Sequence, residues 1–228
     1  MMRSAPAVTD VRNARKVGFV FPCYAGGLPG NVEEYVRRIK VDPKAYTFGV
    51  VSYAAYPGIG LSKINEIIPL DYHAGISHQC SCIWLIPHEV MIPPVDPHIA
   101  QKRAEKLAAK VAEDIYYVKR SKRAPASNPI NKFESKAWPV VKTLQSSRLR
   151  ANSNCVACGQ CVKLCPKGNI TLENGKISFG KNCIGCLSCL QYCPTQAISM
   201  GGLTKNRGRY HNPNVSAADL YHKIIHID

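Results

Sequence analysis

Between residues 17 and 120 the apolar positions alternate between short unbroken runs and longer stretches with helical spacing. Residues 17–22, VGFVFP, form an apolar run ending in Pro, the mark of a buried strand. The Gly- and Pro-rich loop CYAGGLPG follows. Asn31 then stands as a helix cap with Glu34 as its capping-box partner, and Val32, Tyr35, Val36 and Ile39 make one apolar stripe. A second strand is predicted at 46–52, YTFGVVS, running into the loop YAAYPGIG. A helix is predicted from near Leu61, carrying Ile64, Ile67 and Ile68, and CIWLI at 82–86 predicts a third strand. Asp96-Pro97 is a cap and first-turn proline for HIAQKRAEKLAAKVAEDIYYVKR, where Ala104, Leu107, Ala108, Val111, Ile115 and Val118 keep helical spacing. Strand, loop and helix in repetition predict a parallel α/β sheet with its functional loops at the strand C-termini.

The pattern changes beyond residue 150. Residues 155–166 read CVACGQCVKLCP and residues 183–194 read CIGCLSCLQYCP, the same C-x2-C-x2-C-x3-C-P spacing twice. Three evenly spaced cysteines wrap a loop around one corner of a cubane, and backbone N–H groups point at its sulfides. The fourth is expected to start a helix leading away, so its thiolate reaches the other cluster; this crossed ligation is the general rule for such runs. One [4Fe–4S] cluster is therefore assigned to Cys155, Cys158, Cys161 and Cys193, and a second to Cys183, Cys186, Cys189 and Cys165. Structural zinc fits less well, because tetrahedral zinc has no use for three evenly spaced thiolates and a fourth followed by proline. Disulfides need an oxidising compartment, which nothing in the sequence suggests.

A cysteine-dense unit of about 55 residues (151–205) has too little core to fold alone, and two clusters would staple it. Within it, Asn174-Gly175 in ITLENGKISFG predicts a hairpin turn, and AISM at 197–200 occupies the matching place after the second run. The remaining organisation is read as a disordered N-terminus (1–16), an α/β domain (17–120), a basic linker (121–150) and a tail with a short helix (206–228).

Net charge is +15, counting the thiols as neutral. Residues 151–205 hold five lysines against Glu173, and two oxidised clusters at about −2 each would bring that module near neutrality. The excess sits in residues 102–150, with 13 Lys and Arg against 4 Asp and Glu. A solvated helix face and linker explains it as well as any partner does; among partners, an acidic redox protein is the most economical. Nucleic-acid binding lacks a recognised motif. The N-terminus MMRSAPAVTDVRNARK has no apolar signal-peptide core, and no stretch has the length of a membrane span, so a reducing cytoplasm is expected.

The cysteine runs with their hairpin resemble the two-fold repeated bacterial ferredoxin fold, an α+β domain. With VGFVFPCYAGGLP and VVSYAAYPGIG upstream, residues 17–228 resemble the flavodoxin–ferredoxin fusions called EFR-family ferredoxins, found in anaerobic bacteria. That resemblance implies FMN between two walls, Pro22, Tyr24, Ala25 and Gly26 on one side and Tyr53, Ala54, Ala55, Tyr56, Pro57 and Gly58 on the other. Tyrosine faces suit stacking on a flavin ring. A flavodoxin also opens with a strand and a Ser/Thr- and Gly-containing phosphate loop, and no S/T-x-T-G-N-T stretch precedes Val17. The expectation is an incomplete flavodoxin-like parallel sheet that does not retain FMN stoichiometrically. The edge left beside VGFVFP invites pairing with another copy or a partner, unless Met1 is an internal start.

His78, Cys80 and Cys82 read as turn and core residues before a metal site. Cys23, beside the flavin wall, reads as a small residue in a tight loop. In the tail, RGRYHNP (207–213) precedes a helix capped by Ser216 with Asp219 three residues on. The leading expectation is a low-potential electron carrier with two [4Fe–4S] clusters; the alternative is an FMN-containing oxidoreductase whose clusters feed the flavin.

Overall fold

The computed structural model describes residues 9–78, 96–204 and 208–221. Contacts divide the chain into two units that change over at Pro139/Val140. The predicted strand at 82–86, and Cys80 and Cys82, lie outside the described residues.

In the N-terminal unit, β1 (Thr9–Asp10) and β3 (Ile39–Lys40) pair in parallel. β2 (Lys16–Pro22), β4 (Tyr46–Tyr53) and β5 (Tyr72–Ser77) form a second parallel sheet in the order β2-β4-β5. Register pairs Phe19 with Gly49 and Phe21 with Val51, so these side chains share a face with Val17. There they pack with Leu28, Val36, Leu61 and Ile64 into the main core. The opposite face holds Tyr46, Val50 and Tyr72 against Val111 of the helix Pro97–Tyr116. Gly18 has no side chain because the Phe48 ring lies across it.

Several sequence expectations shift. Residues 9–16, expected to be disordered, include β1, which Ile39–Lys40 pairs. The first helix is Gly30–Val36; Pro29 occupies its N-cap and no side chain caps it. Asn31 therefore lies inside the helix, and Ile39 belongs to β3. The VGFVFP strand alternates buried and exposed residues, because β2 has β4 on one side and no described strand on the other. Val20 is accordingly 73% exposed. The described third strand is β5, which held no strong apolar pattern: only Tyr72 is fully buried.

Asp96 caps its helix as predicted, accepting from His98 N–H at 2.9 Å and Ile99 N–H at 3.2 Å. Its inner face is Ala100, Ala104, Val111 and Asp114, whereas Leu107 is exposed and Val118 lies past the helix end at φ 55°. Asp114 is satisfied by Tyr72 Oη at 3.1 Å and Lys119 Nζ at 2.6 Å. The 121–150 stretch, read as a linker, contains the helix Pro129–Ser146. Asn128 starts it by accepting from Asn131 N–H at 2.8 Å.

The C-terminal unit is built from two copies of one device. β6 (Arg150–Ala151) pairs antiparallel with β9 (Ile198–Ser199), and β7 (Ile170–Glu173) with β8 (Lys176–Phe179). Cys155 and Cys183 are 28 positions apart, and that offset carries Ala151↔Ile198 onto Phe179↔Ile170. The left-handed residues repeat with it: Ala157 and Gly185, Gly159 and Leu187, Gly168 and Gln196. Asn174 and Gly175, at φ 48° and 72°, make the predicted hairpin turn. Leu149, Cys161, Ile170, Leu190, Ile198 and Met200 form the core, against which four more of the cysteines are packed.

Candidate metal centre

Each cysteine run puts its third cysteine into a short helix, Cys161 in Gln160–Leu164 and Cys189 in Ser188–Gln191. The fourth cysteine does not start a helix, contrary to the sequence expectation: Cys165 is the C-cap of its helix, and Cys193 lies one residue past the C-cap Tyr192. Cys165 is extended at φ −71°, ψ 111°, because Pro166 after it disfavours helical geometry. Pro194 stands in the same relation to Cys193.

Cys165 lines one cavity with Cys183, Cys186 and Cys189. Its empty space is about 410 Å³, part of it open to solvent, and Leu149, Ile170, Phe179, Ile184 and Leu187 add an apolar wall. Cys193 is tied to the first run instead. Its Sγ accepts from Ala197 N–H at 3.3 Å, the Ala197 carbonyl accepts from Asn152 N–H at 3.0 Å, and the Asn152 carbonyl from Cys155 N–H at 3.1 Å. Gln160 adds a second link by donating its side-chain amide to the Tyr192 carbonyl.

The repeat extends to the sulfur environment. Asn169 N–H donates to Cys165 Sγ at 3.1 Å, as Ala197 N–H does to Cys193, and Gly185 N–H donates to Cys183 Sγ at 3.4 Å. Such donors favour a thiolate and stabilise charge on bound sulfur. Asn169 also latches the hairpin, donating to the Gly180 carbonyl at 3.0 Å and accepting from Asn182 N–H at 2.6 Å.

Cys158 is exposed, Cys161 buried, and the other six cysteines of the two runs lie between. Burial pushes the Cys161 thiol up to about 11 and raises Cys183, Cys186 and Cys189 as well. These four bare thiols hold their protons at neutral pH, so a bound metal must displace them. Among the described residues, no three His, Cys, Asp or Glu side chains converge on a single ion, as mononuclear zinc requires. The all-thiolate donor set, the cavity beside Cys165 and the N–H groups fit iron–sulfur clusters.

The tail also belongs to this unit. Ser216 and Asp219 form the predicted reciprocal cap, with Ser216 N–H to Asp219 Oδ2 at 2.8 Å and Asp219 N–H to Ser216 Oγ at 3.3 Å. The turn it starts is the 3-10 segment Ala218–Leu220. His211 stacks on Tyr192 at 4.5 Å, and Tyr192 Oη donates to the Val215 carbonyl at 3.2 Å. Arg209 reaches the Ile198 carbonyl at 3.0 Å. Sequence reasoning did not place Arg209, since no local pattern links it to a cysteine run.

In the N-terminal unit, the residues proposed as flavin walls lie at the C-terminal ends of β2 and β4. Tyr24 and Gly27 exchange backbone bonds at 3.1 and 2.9 Å around Ala25 and Gly26, and Ile59 N–H donates to the Gly26 carbonyl at 2.8 Å. Gly58 packs directly on Gly26, so the two walls touch. A Cβ on Gly26 would stand 2.7 Å from Glu134 Oε2, and Gly27 abuts Ser135. Tyr56 Oη donates to Glu134 at 2.8 Å, while Tyr24 and Trp138 are 6.2 Å apart at 60°. Burial first, then Glu134, raises the Tyr56 pKa. Tyr53 covers Gly75; Ala54 and Ala55 are half-buried, and Pro22 and Pro57 exposed. Burial pushes the Cys23 thiol up to about 11, which makes it a poor nucleophile. His78 bonds Gln101 at 3.2 Å.

Residues 154–198 match the family model of the 4Fe-4S dicluster domain. No curated protein and no solved structure matches the chain. The C-terminal unit is thus a ferredoxin-type iron–sulfur module, on a chain whose other unit is α/β with parallel sheets. No helix among the described residues is long and apolar enough to cross a membrane.

Proposed function

We propose that this protein is a low-potential electron carrier holding two [4Fe–4S] clusters, one on Cys155, Cys158, Cys161 and Cys193, the other on Cys165, Cys183, Cys186 and Cys189. The observation that carries the reading is the cavity shared by Cys165 with the second run, while hydrogen bonds tie Cys193 to the first. Each bound cluster supplies a one-electron couple. The chain's part is to hold the thiolates apart, screen them with N–H donors and exclude water with Leu149, Ile170 and Phe179. An acidic redox protein suits the exposed Lys102, Arg103 and Lys106 on the helix Pro97–Tyr116.

The flavin-enzyme alternative receives less support, because the loops that would hold the ring are packed on each other and on Asn131, Glu134 and Ser135. A reductive titration of the anaerobically purified protein separates the readings. The carrier takes up about two electrons per chain, one per cluster. Uptake of four, with flavin bleaching, would establish the enzyme reading instead.

A further inference from the structure

The two cysteine sets repeat in backbone and hydrogen bonds, but their surroundings differ. Arg209 is half-buried beside the second half of the repeat. Its Nη2 donates to the Ile198 carbonyl at 3.0 Å and its Nη1 to the Thr204 carbonyl at 3.3 Å. Ile198 directly follows Ala197, whose N–H donates to Cys193 Sγ. Two carbonyls thus fix a permanent cation one residue from a cysteine's own donor. Burial lowers the pKa of this guanidinium, and negative charge at Cys193, as a bound thiolate would carry, opposes that. Tyr210 N–H, bonded to Gln191 Oε1 at 2.9 Å, holds the next residue of the tail to the helix before Cys193.

Solvent access differs in the same sense. Cys158 is exposed and Val156 is 64% exposed, whereas the cavity of Cys165, Cys183, Cys186 and Cys189 is walled by apolar side chains. Reduction adds negative charge to a centre that is already anionic. A fixed cation and water both favour that charge, and apolar burial opposes it.

We propose that Arg209 sets the reduction potential of the cluster on Cys155, Cys158, Cys161 and Cys193, making it the higher-potential centre of the pair. The inference rests on the two-cluster reading above. Electrons then collect on the more exposed cluster, where a partner can take them, and the cluster with the apolar wall is the low-potential one. The Lys142 charge is felt only weakly at Cys183 of the other set, so Lys142 serves as the control.

The test is potentiometric EPR on the full chain, with signals assigned through Cys165→Ser. In the wild type the Cys193-linked cluster titrates above the other. Arg209→Gln shifts that cluster alone, by at least tenfold in its reduction equilibrium, or about 59 mV for one electron. Arg209→Lys restores most of the shift, and Lys142→Gln moves only the other cluster. A variant with full iron content and unchanged potential overturns the proposal, as does an equal shift of both clusters. If Arg209→Gln loses its cluster, the wild-type order decides, and a Cys193-linked cluster at the lower potential refutes the role. Wild-type protein without iron and sulfide would instead refute the two-cluster reading beneath it.

Discussion

Cys165 opens onto the same cavity as Cys183, although the β7–β8 hairpin separates them in sequence. Pro166 ends the helix at Cys165 and leaves that residue's backbone extended. Cys165→Ser should therefore damage the cluster on Cys183, Cys186 and Cys189 and leave the EPR signal of the Cys155 cluster comparatively intact. Selective loss of the Cys155 cluster would mean that each run closes on itself.

Titration with FMN should show no tight one-to-one complex. Gly58 against Gly26, and Gly26 and Gly27 against the helix Pro129–Ser146, leave the candidate walls in contact with protein. Stoichiometric FMN binding by the monomer would contradict this.

Asp114 ties the helix Pro97–Tyr116 to β5 through Tyr72, and its pKa is lowered chiefly by the Lys119 bond. A carboxylate with a depressed folded pKa stabilises the fold above its unfolded value, and the gain is lost as pH falls through the folded one. Asp114→Asn should thus lower Tm by a few degrees at pH 7, with the gap to wild type closing below about pH 4. A gap independent of pH would assign the effect to packing.

Among the described residues no strand pairs the outer edge of β2, where Val20 is 73% exposed. Strand edges of this kind associate, and a charge on them prevents it. Sedimentation should show concentration-dependent self-association that Val20→Lys weakens; an unaltered monomer in both proteins would remove the edge as an interface.

The ferredoxin-type module was the most legible part of the sequence, because cysteine spacing and Pro166 and Pro194 are local constraints. The hairpin turn at Asn174-Gly175 and the Asp96 cap were legible for the same reason. β5 was not, since Ala74 and Gly75 carry little strand signal and the segment is held by its partner β4. The helix Pro129–Ser146 had a readable start, Asn128-Pro129, of the same type as Asp96-Pro97, but the surrounding basic residues masked it. Arg209 acts only through tertiary packing, which no sequence period encodes.

Iron, labile sulfide and zinc analysis of protein purified without oxygen tests the central claim most directly. Two [4Fe–4S] clusters require about eight iron and eight sulfide per chain. A count near four of each, or zinc with no iron, would contradict it.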